Sequence, residues 1–165
     1  MIETIRFIAT QKMKLSEALS RRRDLQMRIS QLESRLQSNV MVQEGEKPVE
    51  EPKELFAELG ECVKQLKYFI YQINVTNMQV IAEDGRTLTK MLAEREALVT
   101  HMSLLRSMIE KASGVNNVRY SRSEIKNVLT FDVKAVRKQV DSLSQEYRLL
   151  DMEIQTMNFN NDLVE

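Results

Sequence analysis

VKAVRKQVDSLSQEYRLLDMEIQTM, residues 133–157, decides the fold. Val133, Val136, Val140, Leu143, Tyr147, Leu150, Ile154 and Met157 recur at alternating steps of three and four. That is the period of one helix face, not of a strand. Three further stripes share it. The first runs Leu15, Ala18, Arg22, Leu25, Ile29, Leu32, Leu36, and the second Leu55, Leu59, Cys62, Leu66, Phe69, Ile73, Thr76. The third runs Leu88, Leu92, Arg95, Leu98, Met102, Leu105, Ile109. The stripes predict helices over about 14–38, 53–78, 87–113 and 132–158 in a single domain, 14–165. Each would be roughly 38 Å long. The expected fold is all-α, an elongated antiparallel four-helix bundle with coiled-coil-like packing. Residues 1–13 read as an N-terminal extension in which Ile2, Ile5 and Ile8 fit a helix, a strand or a swapped arm.

The punctuation agrees. Gly45, Gly85 and Gly114 fall in connections, and Gly60 lies inside the second helix. Pro52 suits a first helical turn, and Thr87 and Asp132 are natural N-caps. The connections near 39–52 and 114–131 are long enough to carry structure of their own. Val40 and Val42 alternate with polar neighbours, as do Val118 and Tyr120, and Val128 to Phe131 is β-prone. In an up-down-up-down bundle both connections emerge at one end, so a small antiparallel β ribbon is expected there. Charge favours the pairing: Asn39–Glu61 holds seven acids and two lysines, and Lys111–Lys138 seven bases and two acids. Exposed pairs are worth about 0–1 kcal/mol each, so they would guide register more than stability.

Composition excludes several classes. With 24 basic and 24 acidic residues the net charge is +0, which argues against steering to nucleic acid or acidic membranes. A lone Cys forms no internal disulfide, no run is long and apolar enough to span a bilayer, and the start is unlike a secretory signal. A cytoplasmic protein is expected. One His (His101) and one Cys (Cys62) cannot build a zinc site of known spacing, and Glu-x-x-His pairs for a di-iron bundle are lacking. The EF-hand pattern fails after Asp84-Gly85, and no P-loop or G-x-G-x-x-G is present. No metal, cofactor or catalytic residue is expected. His101 reads as a structural or exposed residue and Cys62 as core packing.

Three polar groups stand out. Arg22 and Arg95 sit on stripe positions, where they fit either a rim with the stem packed or an ion pair that sets register between helices or subunits. Asn74, Thr76 and Asn77 end the second helix, and Asp84, Arg86, Thr87 and Thr89 open the third. These fit mutual capping of a tight turn or an anion held at a helix N-terminus. Arg119, Tyr120, Ser121, Arg122, Ser123 and Glu124 form the third group. They fit a structured cap on the bundle end, or a cluster for an acidic ligand or partner.

KLSEALSRRRDLQMRISQLESRL, VQEGEKPVEEPKEL, INVTN, DGRTLT, RYSRSEIKNV and FDVKAVRKQVDSL follow one another between Met13 and Phe159. In this order they resemble the small bacterial proteins known as septicolysins. The resemblance covers nearly the whole chain and departs from the family before Met13. It implies a helical fold without an established activity, and the family name implies a cytolysin. The family's shared polar motifs map onto Asn74, Thr76, Asn77, Asp84 to Thr87, Thr89 and Arg119 to Glu124, with no role implied. Glu58-Leu-Gly-Glu61 is also similar to helical nucleotide pyrophosphatases, which hold magnesium on four carboxylates. Glu94 and Glu96 on the next helix point to different faces, so that set is incomplete.

The expected function is a non-enzymatic interaction or assembly protein that forms a homo-oligomer, a dimer or higher, or binds a protein partner. The alternatives are a membrane-active toxin and a small-ligand or nucleotide-handling protein.

Overall fold

The computed structural model of the chain describes residues 12–115 and 128–164. Four helices follow one another: α1 (Leu15–Ser38), α2 (Pro52–Gln79), α3 (Leu88–Val115) and α4 (Val133–Asn160). Every position of the four apolar stripes is buried or half-buried, Arg22 and Arg95 included. The starts follow local chemistry. Pro52 occupies the first turn of α2, where its missing N–H costs nothing. The Asp132 carboxylate accepts from the Lys134 N–H at 2.8 Å, and the Thr87 hydroxyl accepts from the Lys90 N–H at 3.2 Å. α3 continues through Gly114, which the sequence pattern had put in a connection.

Packing is uneven. α1 lies along α2 and α3 along α4, whereas α1–α4 and α2–α3 contacts are few. The molecule is two helical hairpins joined through one core. That core takes Leu15 and Ala18 from the start of α1 and Phe69 and Ile73 from the end of α2. Leu88 and Met91 add the start of α3, and Leu150, Ile154 and Met157 the end of α4. All four helices meet at the end where the α2–α3 turn and the C-terminal segment lie. The segment after α4 completes the junction. Leu15 N–H donates to Asn161 O at 3.0 Å and Leu163 N–H to Met13 O at 2.7 Å. The first bond satisfies a backbone N–H that the unassisted N-cap of α1 leaves open. Leu163 is buried, and Lys14 pairs with Asp162 at 2.6 Å.

The β ribbon is not formed by the described residues, which contain no strand, only isolated bridges at Lys14–Asp162 and Ile81–Thr87. Val40, Met41 and Val42 are exposed, and the first connection closes on its own hairpin instead. The Asn39 amide donates to Arg35 O at 2.9 Å and accepts from Glu50 N–H at 3.2 Å. Arg35 Nε donates to both Glu50 oxygens at 3.0 and 3.1 Å. A local clasp therefore fixes the connection where the ribbon needed a distant partner. Of the other half, Val128–Phe131 is exposed and forms no strand, and residues 118–127 lie outside the described residues.

Candidate functional site

The α2–α3 turn gathers most of the second group of candidate residues. Ala82 N–H donates to Arg86 O at 2.8 Å, and Leu88 N–H to Val80 O at 2.9 Å. Gly85 takes φ +85°, a left-handed conformation that favours glycine. The Asp84 carboxylate accepts from the Arg86 N–H at 3.0 Å and from its Nε at 2.5 Å. Arg86 then reaches Glu94 on α3 at 2.5 Å and Glu153 on α4 at 3.2 Å. Hydrogen bonds from Arg86, the backbone one foremost, hold the Asp84 carboxyl below its ordinary value. The bonds to Glu94 and Asp84 raise the Arg86 guanidinium. With three carboxylates on one guanidinium, Arg86 ties the turn to both helices of the second hairpin and is not free for an anion.

Thr76 is fully buried, and its hydroxyl is used twice. It donates to Gln72 O at 2.7 Å and accepts from Val164 N–H at 3.0 Å. Asn74 and Thr89 are exposed, and Asn77 is half-buried. Arg95 donates to Asp151 on α4 at 2.9 Å, an ion pair within the chain. Arg22 makes no ion pair among the described residues. It shares a cleft between the hairpins with Arg95 and Asn77. Arg119 to Glu124 lie outside the described residues.

Two of the four carboxylates that a magnesium site would use, Glu58 and Glu94, are engaged by arginines. Glu58 accepts from Arg28 Nε at 2.6 Å and also pairs with Arg35, while Glu94 holds Arg86. Among the described residues no three His, Cys, Asp or Glu side chains gather as a metal site would require. His101 is exposed, in a groove between α3 and α4 with Glu94, Glu146 and Glu153.

A second apolar seam lies on the outer face of α2. Phe56, Val63 and Ile70 are spaced by heptads and exposed, and Tyr71 and Met78 extend the face. Gly60 falls between Phe56 and Val63 at steps of four and three, with open space where a Cβ would stand. Lys67 and Asn74 complete the register. Glycine inside a helix costs about 1 kcal/mol against alanine, and no described contact within this chain requires it. The only signals in the sequence were this glycine and the repeat running beside the core stripe.

A sequence profile for a family of unknown function, DUF6847, matches residues 22–163. No curated protein matches the chain. Among solved structures, the chain is similar to a functionally unknown conserved protein from Corynebacterium diphtheriae, seen in a crystal structure. Identity is 37% over 93% of this chain and 99% of that one, with a TM-score of 0.85. The chain thus belongs to DUF6847, a family of unknown function whose profile runs from within α1 to beyond the end of α4.

Proposed function

We propose that this is a non-enzymatic assembly protein of the bacterial cytoplasm, and that a second copy of the chain covers the outer face of α2. The observation that carries the reading is the second heptad seam, Phe56-Gly60-Val63-Lys67-Ile70-Asn74. Buried in a two-helix interface, its apolar members supply the driving force and Gly60 permits close approach. A polar residue such as Asn74 at a seam position fixes register and partner number at some cost in stability.

Sedimentation velocity tests it. Wild type at tens of micromolar (roughly the range in which standard-size interfaces form) is expected to run as a dimer or larger oligomer. Phe56→Glu with Ile70→Glu is expected to run as a monomer of unchanged helicity, since both positions are exposed. A monomeric wild type refutes the reading. Dye release from liposomes by the purified protein would replace it with the membrane-active reading that the septicolysin resemblance implies.

A further inference from the structure

We infer that the cleft between the two hairpins binds a small anionic ligand, a phosphate or carboxylate carried on a partly apolar body. The cleft is about 660 Å³ and is lined by all four helices. That volume falls within the roughly 300–1000 Å³ of small-molecule sites. Ile73, Leu92 and Ile154 give it an apolar floor. Arg22 and Arg23 line it and make no ion pair with any described residue. The third guanidinium, Arg95, is positioned by Asp151 at 2.9 Å. The one carboxylate on the wall, Glu17, is taken up by Arg21 at 2.7 Å.

The second observation is Asn158. Its residue is only 8% exposed and it lines the cleft. Its side-chain amide makes no hydrogen bond with any described residue. No fully enclosed polar side-chain atom of the described residues lacks a partner, so this amide keeps contact with solvent, and its residue lines the cleft. A buried polar group is normally hydrogen-bonded, and one left open toward a cavity asks for a partner from that cavity. Guanidinium forks meet carboxylate or phosphate oxygens two at a time, and an amide N–H₂ donates to the same oxygens. Two guanidiniums that no described residue engages, a near-buried amide and the half-buried Asn77 therefore describe one chemistry. The cleft is a different place from the outer seam of α2, so the inference stands apart from the assembly reading.

The test is calorimetric titration and thermal melting of the full chain with inorganic pyrophosphate and, separately, citrate, at matched ionic strength. At roughly a hundredfold excess over Kd, the melting temperature is expected to rise by about 5–10 °C. A response to pyrophosphate alone assigns a phosphate ligand, and a response to citrate alone a carboxylate. In Arg22→Gln with Arg23→Gln the response is expected to fall at least tenfold in affinity. Asn77→Asp, which places a like charge on the wall, should weaken it as well and gives a second variant should the first misfold. Amide shift perturbations on pyrophosphate addition should centre on Ser16–Gln26 and Asn158. No response to either anion, an equal response in the variants, or perturbations confined elsewhere would overturn the inference.

Discussion

Ile154→Ala tests the architecture of one core joining two hairpins. Ile154 is fully buried where all four helices contribute side chains. The lost side-chain carbons carry about 2.5 kcal/mol of transfer free energy. A partly collapsed cavity adds about 1 kcal/mol, for a total of about 3.5 kcal/mol. For a chain of this size that lowers Tm by about 10 °C. Leu143→Ala, on the half-buried arm of α4, should cost about 1–2 kcal/mol, since less surface is removed from contact. The assay is far-UV circular dichroism against temperature and urea, with protein concentration held fixed because self-association shifts apparent stability. Weakening the junction should also broaden the urea transition as the hairpins begin to unfold separately. An Ile154→Ala cost below about 1 kcal/mol, or one no larger than that of Leu143→Ala, would refute the single-junction account.

Gly60→Ala separates chain stability from assembly. The isolated chain should gain about 0.5–1 kcal/mol from helix propensity, while the proposed dimer should dissociate more readily in sedimentation. An unchanged dimer would remove Gly60 from the interface. Thr76→Val leaves the Val164 N–H without its acceptor, so a loss of about 1–2 kcal/mol is expected. Faster amide exchange at Leu163 and Val164 should accompany it, and unaltered exchange would contradict the clasp. The pH dependence follows from Glu50 and Asp84. The Arg35 side chain foremost holds Glu50 below its ordinary value, and Arg86 does so for Asp84. Both contributions are full above about pH 4, the unfolded value, and are lost as pH falls through the lower folded values. Glu50→Gln should therefore melt below wild type at neutral pH and converge on it in acid. Parallel curves would count against the clasp.

The helices were legible because their information is local. Steps of three and four mark the buried face of α4 whatever packs on it, and Asp132, Pro52 and Gly85 act within a few residues of where they stand. Self-consistent charge was misleading. The acidic and basic connections carry opposite charge, yet Glu50 lies a short loop away from Arg35, and a near partner is reached with less loop-closure entropy than a far one. Thr76 and Arg86 could be read from the sequence as capping groups of a tight turn or as ligand groups. Only folding brought the C-terminal segment to the one and Glu153 to the other, and so engaged both.

The sequence by itself determined the number, extent and inner faces of the helices, because backbone hydrogen bonding and apolar periodicity are set by neighbours three and four residues apart. Which helices pair along their length, where the four meet, and what remains uncovered were decided only by the tertiary structure. The cleft joins Arg22, Arg95, Asn77 and Asn158 from four different helices. No short-range pattern encodes that meeting, because it depends on how side chains far apart in the chain fill one core.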